Sequence, residues 1–415
     1  MQVEIITIGD ELLIGQVVDT NSAWMAGELN KSGMFINRIT SVSDREEEIL
    51  SAIKEAASRS AIVLLTGGLG PTRDDITKAA LCKFFNTQLV FNQQVMDDVE
   101  RFLKNRVGRI NQLNRDQALV PKKCDVIRNP VGTAPIMWFE ENGVIVVSMP
   151  GVPTEMKHAM ENEVLPRLKA KFTNGIVRHR TVHIFNIPEA VLAEMLSDWE
   201  DQIPDFLKVA YLPSPGKLRL RISGKGKNAQ QIESAIENAI EALYPLVEEN
   251  IFGFDDEKPE SLLLNLLLSK HKTISCAESC SGGLMSHYIT SVAGASNAFM
   301  GGVVAYSNNL KSNLLGVDSS SIEKHGAVSR EVVEQMAIGA CKRLGSDYAI
   351  ASSGIAGPSG GTDEKPVGTV WLAWSDGTKV ISRTFNFGNN RERNILRTAE
   401  AGIIIMKQLL ERGEL

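Results

Sequence analysis

Long apolar runs, paired cysteines and an excess of basic residues are all missing from this sequence, and each absence argues against a class of protein. The most apolar stretch, residues 262–268, is interrupted by Asn265 and is far shorter than the ~20 residues of a membrane-spanning helix. The five cysteines contain no CxxC pair and no disulfide-framework spacing, which indicates a reducing compartment. A net charge of −6 argues against nucleic-acid binding through bulk charge.

The remaining composition is that of an ordinary globular protein. Hydrophobic residues make up 43% and charged residues 23%, which excludes wholesale disorder. A length of 415 residues is too great for one ordinary core, so we expect two or three domains. The first residues, MQVEIITIGDELL, carry carboxylates where a signal peptide would carry lysines and an apolar core. We therefore expect a soluble, cytoplasmic protein with no membrane partner.

Strand and helix signals alternate over the first 170 residues. This alternation predicts a doubly wound α/β domain, whose ligands bind at the carboxyl ends of the strands. We place this domain at residues 1–171. Its main strands are predicted at Val3–Ile8, Phe35–Val42, Ala61–Thr66 and Gly143–Ser148.

The pattern changes after this first domain and again near residue 258. Residues 172–253 combine alternating strands with amphipathic helices, which predicts a small α+β module. The acidic FDDEKP stretch (254–259) is predicted to be a linker. Residues 258–415 return to alternating elements and form a second predicted α/β domain. Its strands are predicted at Thr273–Ala277, Gly302–Tyr306, Tyr348–Ser353, Thr369–Ser375 and Lys379–Phe387.

Glycine-containing turns follow two predicted strands of the first domain. Gly9-Asp10-Glu11 follows the first strand, and TGGLGPTRDDIT (66–77) follows a later one. Glycine amides at a strand-to-helix turn can approach phosphate, and nearby carboxylates can hold a divalent cation. The spacing fits a pyrophosphate site, but it fits equally a tight turn with Asp74 and Asp75 as helix caps.

Two further loops at predicted strand ends read NPVGTAP (129–135) and MPGVPTEM (149–156). Together with GDELLIGQVVDTN (9–21) and the segment 66–77, they resemble the molybdopterin-binding (MoaB/Mog-like) domain. They resemble more closely its version in the competence/damage-inducible CinA family. Ile136 stands where glycine is expected after Ala-Pro, a departure that alters a loop contact and not the fold.

That resemblance implies that the first domain binds a pyrophosphate-bearing compound. In CinA relatives the compound is ADP-ribose, which is split by a metal-dependent pyrophosphatase. The glycines implied to cradle phosphate are Gly67, Gly68 and Gly70. The carboxylates implied to hold a divalent metal ion are Asp10, Asp44, Asp74 and Asp75.

The middle module resembles the KH-type domain of the same family. A KH domain that binds nucleic acid needs a GXXG backbone clamp. Residues 224–227 read Gly-Lys-Gly-Lys, which is basic but contains only GxG. We therefore expect a spacer or dimerisation role rather than RNA binding, and a homodimer as the assembly.

The best catalytic candidate of the last domain lies in AESCSGG (277–283). Ser279 ends a buried strand and precedes small residues and a helix, which exposes its hydroxyl and points the next N–H groups toward an oxyanion. Such a serine still needs a base. The histidines at positions 271, 287 and 325 lie in no recognisable pattern and are expected at surface or packing positions.

A lysine is the alternative base, provided that burial or cationic neighbours lower its pKa. The segment YSNNLK (306–311) follows another strand and could bring Tyr306 and Lys311 to the same edge, although an ordinary surface lysine is the alternative. No S-x-x-K motif is present here. Cys280 is either a nucleophile beside a helix N-terminus or small core filler, and the cysteine spacings do not support zinc.

Three more segments complete the pattern: GIAGPSGG (354–361), KPVGTV (365–370) and Asn390-Arg391-Glu392-Arg393. The last segment places guanidiniums in a first helical turn, where a bound nucleotide phosphate would offset their repulsion from the helix dipole. In this order, the segments of residues 258–415 resemble the CinA C-terminal domain, a nicotinamide-nucleotide amidohydrolase. The resemblance implies Ser279 as nucleophile, Lys311 as general base and Tyr306 as an assisting hydroxyl.

The same resemblance implies a substrate-binding set, in which Ser281 replaces an expected threonine and keeps a hydroxyl. This set comprises Cys280, Ser281, Gly282, Gly357, Gly360, Gly361 and Arg393. The implied reactions are deamidation of nicotinamide mononucleotide without a cofactor and metal-dependent hydrolysis of ADP-ribose, so small nucleotides are the expected partners. A molybdopterin adenylyltransferase and a non-catalytic competence or recombination adaptor are the alternatives.

Overall fold

A computed structural model describes residues 2–72, 74–104, 110–172 and 176–415 of the chain. The chain divides into two compact units. The first comprises the chain up to His179 together with Gly224–Ser234, and the second comprises Arg180–Ser223 together with Ala235–Leu415. Within the described ranges, every helix is too short or too polar to cross a membrane.

In the first unit, the described residues up to position 172 form eight strands and eight α-helices. The strands are β1 (Gln2–Ile8), β2 (Phe35–Val42), β3 (Ile62–Thr66), β4 (Leu89–Phe91), β5 (Leu119–Pro121), β6 (Asp125–Ile127), β7 (Ile136–Glu141) and β8 (Val144–Met149). The helices are α1 (Asp10–Leu13), α2 (Thr20–Lys31), α3 (Glu46–Arg59), α4 (Thr77–Phe84), α5 (Gln93–Leu103), α6 (Gln112–Asp116), α7 (Pro153–Ala159) and α8 (Leu165–Lys171). A π-helical turn, Met160–Val164, joins the last two helices.

Its six-stranded sheet has the order β2-β1-β3-β8-β7-β6, while β4 and β5 form a separate hairpin ladder. The strands β2, β1, β3 and β8 are parallel, and β7 and β6 are antiparallel additions at one side. Val3 and Ile5 of β1 belong to one buried core, whereas Ile6 and Ile8 belong to another. Because successive strand side chains point to opposite faces, both faces of the sheet are covered, which confirms the predicted doubly wound domain.

The middle of the chain forms a small four-stranded sheet with its own helices. Its elements are β9 (Ile176–Phe185), α9 (Glu189–Met195), α10 (Ser197–Glu200), β10 (Leu207–Ser214), β11 (Lys217–Gly226), α11 (Ala229–Val247) and β12 (Ile251–Phe254), with a 3₁₀ turn at Glu248–Asn250. The sheet order is β10-β11-β9-β12. The amphipathic segment after β9 forms the two short helices α9 and α10, because the chain turns at Leu196 with φ −98° and ψ 2°.

The rest of the second unit contains five strands and six α-helices. The strands are β13 (Ile274–Glu278), β14 (Phe299–Val304), β15 (Tyr348–Gly354), β16 (Thr369–Ser375) and β17 (Val380–Asn386). The helices are α12 (Pro259–Ser269), α13 (Leu284–Thr290), α14 (Asn308–Leu315), α15 (Ser319–His325), α16 (Arg330–Leu344) and α17 (Arg391–Glu411), with a 3₁₀ turn at Ala295–Asn297. All five predicted strands are present. The predicted linker is a tight turn in which the Phe254 N–H donates to Glu257 Oε2 (2.8 Å) before Pro259 begins α12.

This sheet has the order β14-β13-β15-β16-β17, and its two faces pack against different helices. Ile350 belongs to the core formed with α12, α13 and α17, while its neighbours Ala349 and Ala351 belong to the core formed with α16. β13 is parallel to both β14 and β15, whereas β16 and β17 run antiparallel to their neighbours. The carboxyl ends of the three parallel strands therefore meet at one edge of the sheet.

Candidate active site

The sequence segments predicted to form the C-terminal site converge on that edge. Ser279 follows β13, Tyr306 follows β14, and the loop 355–361 follows β15. β17 ends at the same edge because Asn386 pairs with Thr369, the first residue of β16. Only residues 387–390 separate the end of β17 from α17. The first turn of α17, which contains Arg391, therefore lies at the same edge.

The buried carboxylate of Glu278 shapes the turn that presents Ser279. Glu278 is 0% exposed and receives four hydrogen bonds. Its Oε2 accepts from the N–H groups of Gly283 (2.9 Å) and Met285 (3.1 Å), and its Oε1 accepts from the N–H (2.9 Å) and hydroxyl (2.6 Å) of Ser286. These are unpaired amides at the start of α13, where a carboxylate is favoured. Gly282 has φ +64°, a conformation that glycine adopts without strain.

Ser279 and Lys311 lie in direct contact. Lys311 Nζ is 3.0 Å from Ser279 Oγ, 2.9 Å from the Ala305 carbonyl oxygen and 3.4 Å from that of Tyr306. The lysine is only 2% exposed, and burial lowers the pKa of its amine from the ordinary value. A neutral amine has two hydrogens for the two carbonyls and one lone pair, which is left to accept the Ser279 hydroxyl proton. The pair therefore has the geometry of a nucleophile and its general base.

Backbone amides beside Ser279 are available to an oxyanion. The Ser279 N–H donates to the Ser352 carbonyl (3.1 Å), and the Gly282 N–H donates to the Ser279 carbonyl (3.2 Å). Within the described ranges, the N–H groups of Cys280 and Ser281 donate to no oxygen acceptor, although the Cys280 N–H lies against its own thiol. Two such donors directly after a nucleophile are the usual composition of an oxyanion hole.

The side chains of Cys280 and Ser281 are both directed into the protein. The Cys280 thiol belongs to the buried core, and burial raises its pKa to about 11, so it is protonated at neutral pH. Ser281 Oγ lies 2.8 Å from Ser352 Oγ. Of the two alternatives raised for Cys280, the structure therefore favours core filler over nucleophile, while its backbone N–H remains at the site.

The phenol of Tyr306 contacts an arginine and not the Ser279–Lys311 pair. Tyr306 is 61% exposed, and its hydroxyl accepts a hydrogen bond from Arg391 Nη2 (3.3 Å). Arg391 Nη1 also donates to the carbonyl oxygen of Gly357 (2.7 Å). The contact of Tyr306 with Lys311 is made by its backbone carbonyl. Arg391 therefore joins the loop after β14 to the loop after β15.

Arg393, the arginine implied by resemblance to bind substrate, is exposed on the first turn of α17. Its N–H donates to the side chain of Asn390 (2.9 Å), which caps the helix. In the part of the chain that the structure describes, its guanidinium makes no hydrogen bond or ion pair. The glycines of the neighbouring loop line the same edge: Gly357 and Gly360 have positive φ, and a Cβ on Gly361 would lie 2.7 Å from the Val367 nitrogen.

Two functional side chains lacked a clear sequence prediction. Glu278 was visible as a carboxylate that ends an apolar strand just before Gly-Gly and a helix, which is a capping signal. Arg391 stands two residues before Arg393 in the sequence, and the sequence does not indicate which of them faces the loop at Gly357. The path of the chain after β17 turns Arg391 toward that loop.

The first unit also brings its motifs to the carboxyl ends of parallel strands. Gly67 follows β3, and a Cβ at this position would lie 2.1 Å from the Ile8 carbonyl, so only glycine fits between the two strand ends. The Gly67 N–H donates to Met149 O (3.2 Å), and the Gly70 N–H donates to Asp75 Oδ1 (2.7 Å). Among the described residues, only the Gly68 amide of these three glycines is free for an anion.

The four predicted metal ligands are not brought together as one set. Asp10 and Asp44 pair reciprocally: the Asp10 N–H donates to Asp44 Oδ2 (3.0 Å), and the Asp44 N–H donates to Asp10 Oδ1 (3.4 Å). Burial, and then the charges of Asp10, Glu11 and Asp74, raise the pKa of Asp44. Arg73, in the same motif, lies outside the described residues.

Asp75 instead caps its own turn, because its carboxylate accepts hydrogen bonds from the Gly70 N–H and from the N–H (2.8 Å) and hydroxyl (2.5 Å) of Thr72. Across the described ranges, no group of three or more His, Cys, Asp or Glu side chains lies close enough to hold a metal ion.

Comparison with known proteins gives the family. The chain is 45% identical over 410 residues to a CinA-like protein of Cytophaga hutchinsonii, covering 98% of both chains. It is 42% identical over 414 residues to a CinA-like protein of Flavobacterium psychrophilum, covering 99% of both. The chain belongs to the CinA family. A CinA-like protein of Rippkaea orientalis is 38% identical over 404 residues, 97% of both chains.

Three family models match successive parts of the chain. The "Probable molybdopterin binding domain" matches residues 4–170, the "Damage-inducible protein CinA KH domain" matches 179–253, and the "CinA C-terminal domain" matches 256–410. The predicted fold class is thereby confirmed: a molybdopterin-binding-like α/β domain, a KH domain and a CinA C-terminal α/β domain. The Ser279–Lys311 pair lies in the CinA C-terminal domain.

We predict that Glu278→Gln destabilises the second unit. An amide offers one accepting oxygen, so its NH₂ group would face N–H donors at the start of α13, and at least one buried amide would lose its partner. The expected loss is about 2 kcal/mol of unfolding free energy. Thermal denaturation followed by circular dichroism measures it, with the exposed Glu323→Gln as the matched control. Equal midpoints for the two variants would contradict the capping role.

Proposed function

We propose that the C-terminal site is a nicotinamide-nucleotide amidohydrolase that converts nicotinamide mononucleotide to nicotinic acid mononucleotide and ammonia. The observation that carries this proposal is the 3.0 Å contact between Ser279 Oγ and the buried Lys311 Nζ, in a domain of the CinA family. A serine with an adjacent buried amine can attack an unactivated carboxamide. The choice of substrate rests on the resemblance to the CinA C-terminal domain.

The first half-reaction acylates the serine. Neutral Lys311 accepts the hydroxyl proton as Ser279 Oγ bonds to the carboxamide carbon, and the carbonyl electron pair moves onto oxygen. The N–H groups of Cys280 and Ser281 stabilise that oxyanion. When the tetrahedral species collapses, the C–N bond breaks, the Lys311 ammonium returns its proton to nitrogen, and ammonia leaves.

The second half-reaction repeats these roles with water. Lys311 removes a proton from a water molecule that attacks the acyl carbon, and the same N–H groups stabilise the new oxyanion. The bond from carbon to Ser279 Oγ then breaks, and the serine recovers a proton from Lys311. Nucleophile, base and oxyanion donors all come from the protein chain, so the proposed deamidation requires no cofactor.

We assign to Arg391 the role of holding together the two loops at the edge where the nucleotide would bind. It donates to Gly357 O (2.7 Å) and to the phenolic oxygen of Tyr306 (3.3 Å), and so it fixes two loops around the nucleophile. The exposed guanidinium of Arg393, one half-turn along α17, remains free to contact a phosphate. The two arginines then have different tasks, one in positioning the loops and one in binding the substrate.

For the first unit we propose metal-dependent hydrolysis of ADP-ribose to AMP and ribose 5-phosphate. The observation that favours a ligand there is Asn21, whose Oδ1 is buried without a partner in the described structure. It lines a cavity of about 110 Å³ with Thr66, Glu11 and Gly151. A buried acceptor of this kind is satisfied when a ligand donates to it.

Two carboxylates of the first unit are suitable protein ligands for an ion such as Mg²⁺, and the remaining ligands would have to come from water and substrate. Mg²⁺ is usually held by one or two carboxylates, and its other ligands are water and substrate phosphate oxygens. Asp10 and Asp44, which are paired in the structure, would be the two protein ligands. A bound ion would supply charge neutralisation at the scissile pyrophosphate. The Gly68 N–H would contact a phosphate oxygen.

We predict that Ser279→Ala and Lys311→Met each reduce ammonia release from nicotinamide mononucleotide by about 10³-fold or more, because each removes an essential part of one nucleophilic unit. Ser312→Ala and Lys324→Met are the matched controls and should retain activity. The assay is run with and without chelator, and the wild-type rate should not change. A fully active Ser279→Ala enzyme would contradict the mechanism, and an inactive wild type would favour a non-catalytic adaptor.

The rate of deamidation should increase with pH, because only the neutral amine of Lys311 can accept a proton. Burial lowers the pKa of Lys311, so the midpoint of the rise in kcat/KM should lie below the ordinary lysine value of 10.5. A pH–rate profile measures this midpoint. A rate that falls as the pH increases toward that midpoint would identify an acid, not a base, as the essential group.

We predict that Asp44→Asn lowers Mg²⁺-dependent AMP formation from ADP-ribose by about 10²-fold, since it removes half of the carboxylate pair. Ammonia release from nicotinamide mononucleotide should stay unchanged in the same preparation. Asp97→Asn, an exposed change in the same unit, is the control. If the wild-type protein does not hydrolyse ADP-ribose but consumes ATP in the presence of molybdopterin, the result would instead support the adenylyltransferase alternative.

A further inference from the structure

The second unit contains a basic cavity that is separate from the Ser279–Lys311 site. Its volume is about 540 Å³, within the ~300–1,000 Å³ usual for small-molecule sites. The charged side chains that line it are three arginines and one glutamate: Arg383, Arg397, Arg412 and Glu249. This is a local excess of positive charge in a chain whose net charge is −6.

The arginines reach the cavity from two elements that face each other. On β17, Ser382 donates to Glu334 of α16, so its neighbour Arg383 points to the opposite face of the sheet. That face is the one covered by α17. Arg397 lies on α17, and Arg412 is the residue that caps the end of this helix. Ile405 lies between them and lines the same cavity, so the two arginines face it from one side of the helix.

Arg397 is a partly buried cation that makes no ion pair within the described ranges, and the nearby carboxylate that attracts it is Glu400. Its guanidinium lies 4.5 Å from the centre of the Phe387 ring, and its Nη1 donates to Phe387 O (3.3 Å). Glu400, one turn along α17, is already engaged by Lys217 at 2.6 Å. Burial lowers the pKa of Arg397, which remains charged. Because Glu400 is shared with Lys217, an anion that binds nearby would further offset the desolvation of Arg397.

The other two arginines also have capacity for a ligand. Within the described ranges, Arg383 is exposed and makes no hydrogen bond or ion pair. Arg412 donates to the Glu249 carbonyl at 3.4 Å and lies 3.8 Å from Glu414, both long contacts. The carboxylate of Glu249 forms no ion pair in the described part of the chain, so it does not neutralise the arginines directly.

We propose that this cavity is a second ligand site, which binds the phosphate group of a small phosphorylated metabolite. Guanidiniums bind phosphate oxygens through paired, charge-assisted hydrogen bonds, and three of them around one concave space suit a dianionic monoester. The partly exposed ring of Phe385, stacked on Phe387 at 5.3 Å, offers an apolar surface to the rest of the ligand. A concave space of this size favours a small molecule over a nucleic-acid strand.

Equilibrium dialysis of the full-length protein with labelled AMP tests the proposal, with adenosine as the probe that lacks phosphate. Arg383→Ala removes an exposed side chain that makes no hydrogen bond or ion pair within the described ranges, so the variant should fold normally. The variant should raise the dissociation constant for AMP at one class of site by about tenfold, which is the effect of losing one charge-assisted hydrogen bond. Arg397→Lys keeps the charge but loses the paired hydrogen-bond geometry of a guanidinium. It should therefore weaken AMP binding at the same class of site.

Arg343→Ala is the matched control, because it removes an exposed arginine of α16 outside the cavity, and it should bind AMP like the wild type. Adenosine should fail to occupy the site. The proposal is overturned if Arg383→Ala binds AMP like the wild type, or if Arg343→Ala is weakened to the same extent. If a single-stranded oligonucleotide displaces labelled AMP at a lower concentration than unlabelled AMP does, the cavity is a nucleic-acid site instead.

Discussion

The desolvation of one amine is the interaction on which the proposed chemistry of the C-terminal site depends. Lys311 is 2% exposed and surrounded by carbonyl oxygens and a serine hydroxyl, and within the described ranges no carboxylate contacts its amine. An ammonium in such a place loses its hydration without gaining a counter-ion, which shifts the equilibrium toward the neutral amine. The neutral amine is the form that can remove a proton from Ser279. In the proposed mechanism, burial therefore supplies the base that histidine supplies in hydrolases with a Ser-His-Asp triad.

The sheet makes this burial possible, because it assembles the site from segments distant in sequence. Parallel pairing of β13 with β14 and β15 sets the ends of all three strands at one edge. The carboxylate of Glu278 then fixes the turn and the start of α13, which leaves two amides free beside the nucleophile. A rigid scaffold with its reactive groups on the loops is the common arrangement in α/β enzymes.

Strand ends and glycine turns have strong local signals, so the sequence pattern was sufficient to predict the main strands of both α/β domains and to place Ser279 at the end of one of them. The pairing of Ser279 with Lys311 came from the resemblance to the CinA family, because the pattern alone left an ordinary surface lysine as the alternative. It was insufficient where several similar residues compete for one position. Two arginines occupy the first turn of α17, and only the tertiary structure turns Arg391 toward Gly357. Asp75 likewise reads as a metal ligand in a motif, yet its carboxylate is occupied by the turn around Gly70. Side-chain direction in a loop depends on distant backbone, which periodicity does not encode.

The most direct test of the central claim is to detect the acyl-enzyme itself. Turnover of nicotinamide mononucleotide would be quenched rapidly in acid, and the digested protein would be analysed by mass spectrometry. The account predicts that the peptide containing Ser279 gains the mass of the nicotinoyl nucleotide, and that the adduct is absent in Lys311→Met. An adduct on Cys280, or continued ammonia release by a protein that never carries one, would contradict it.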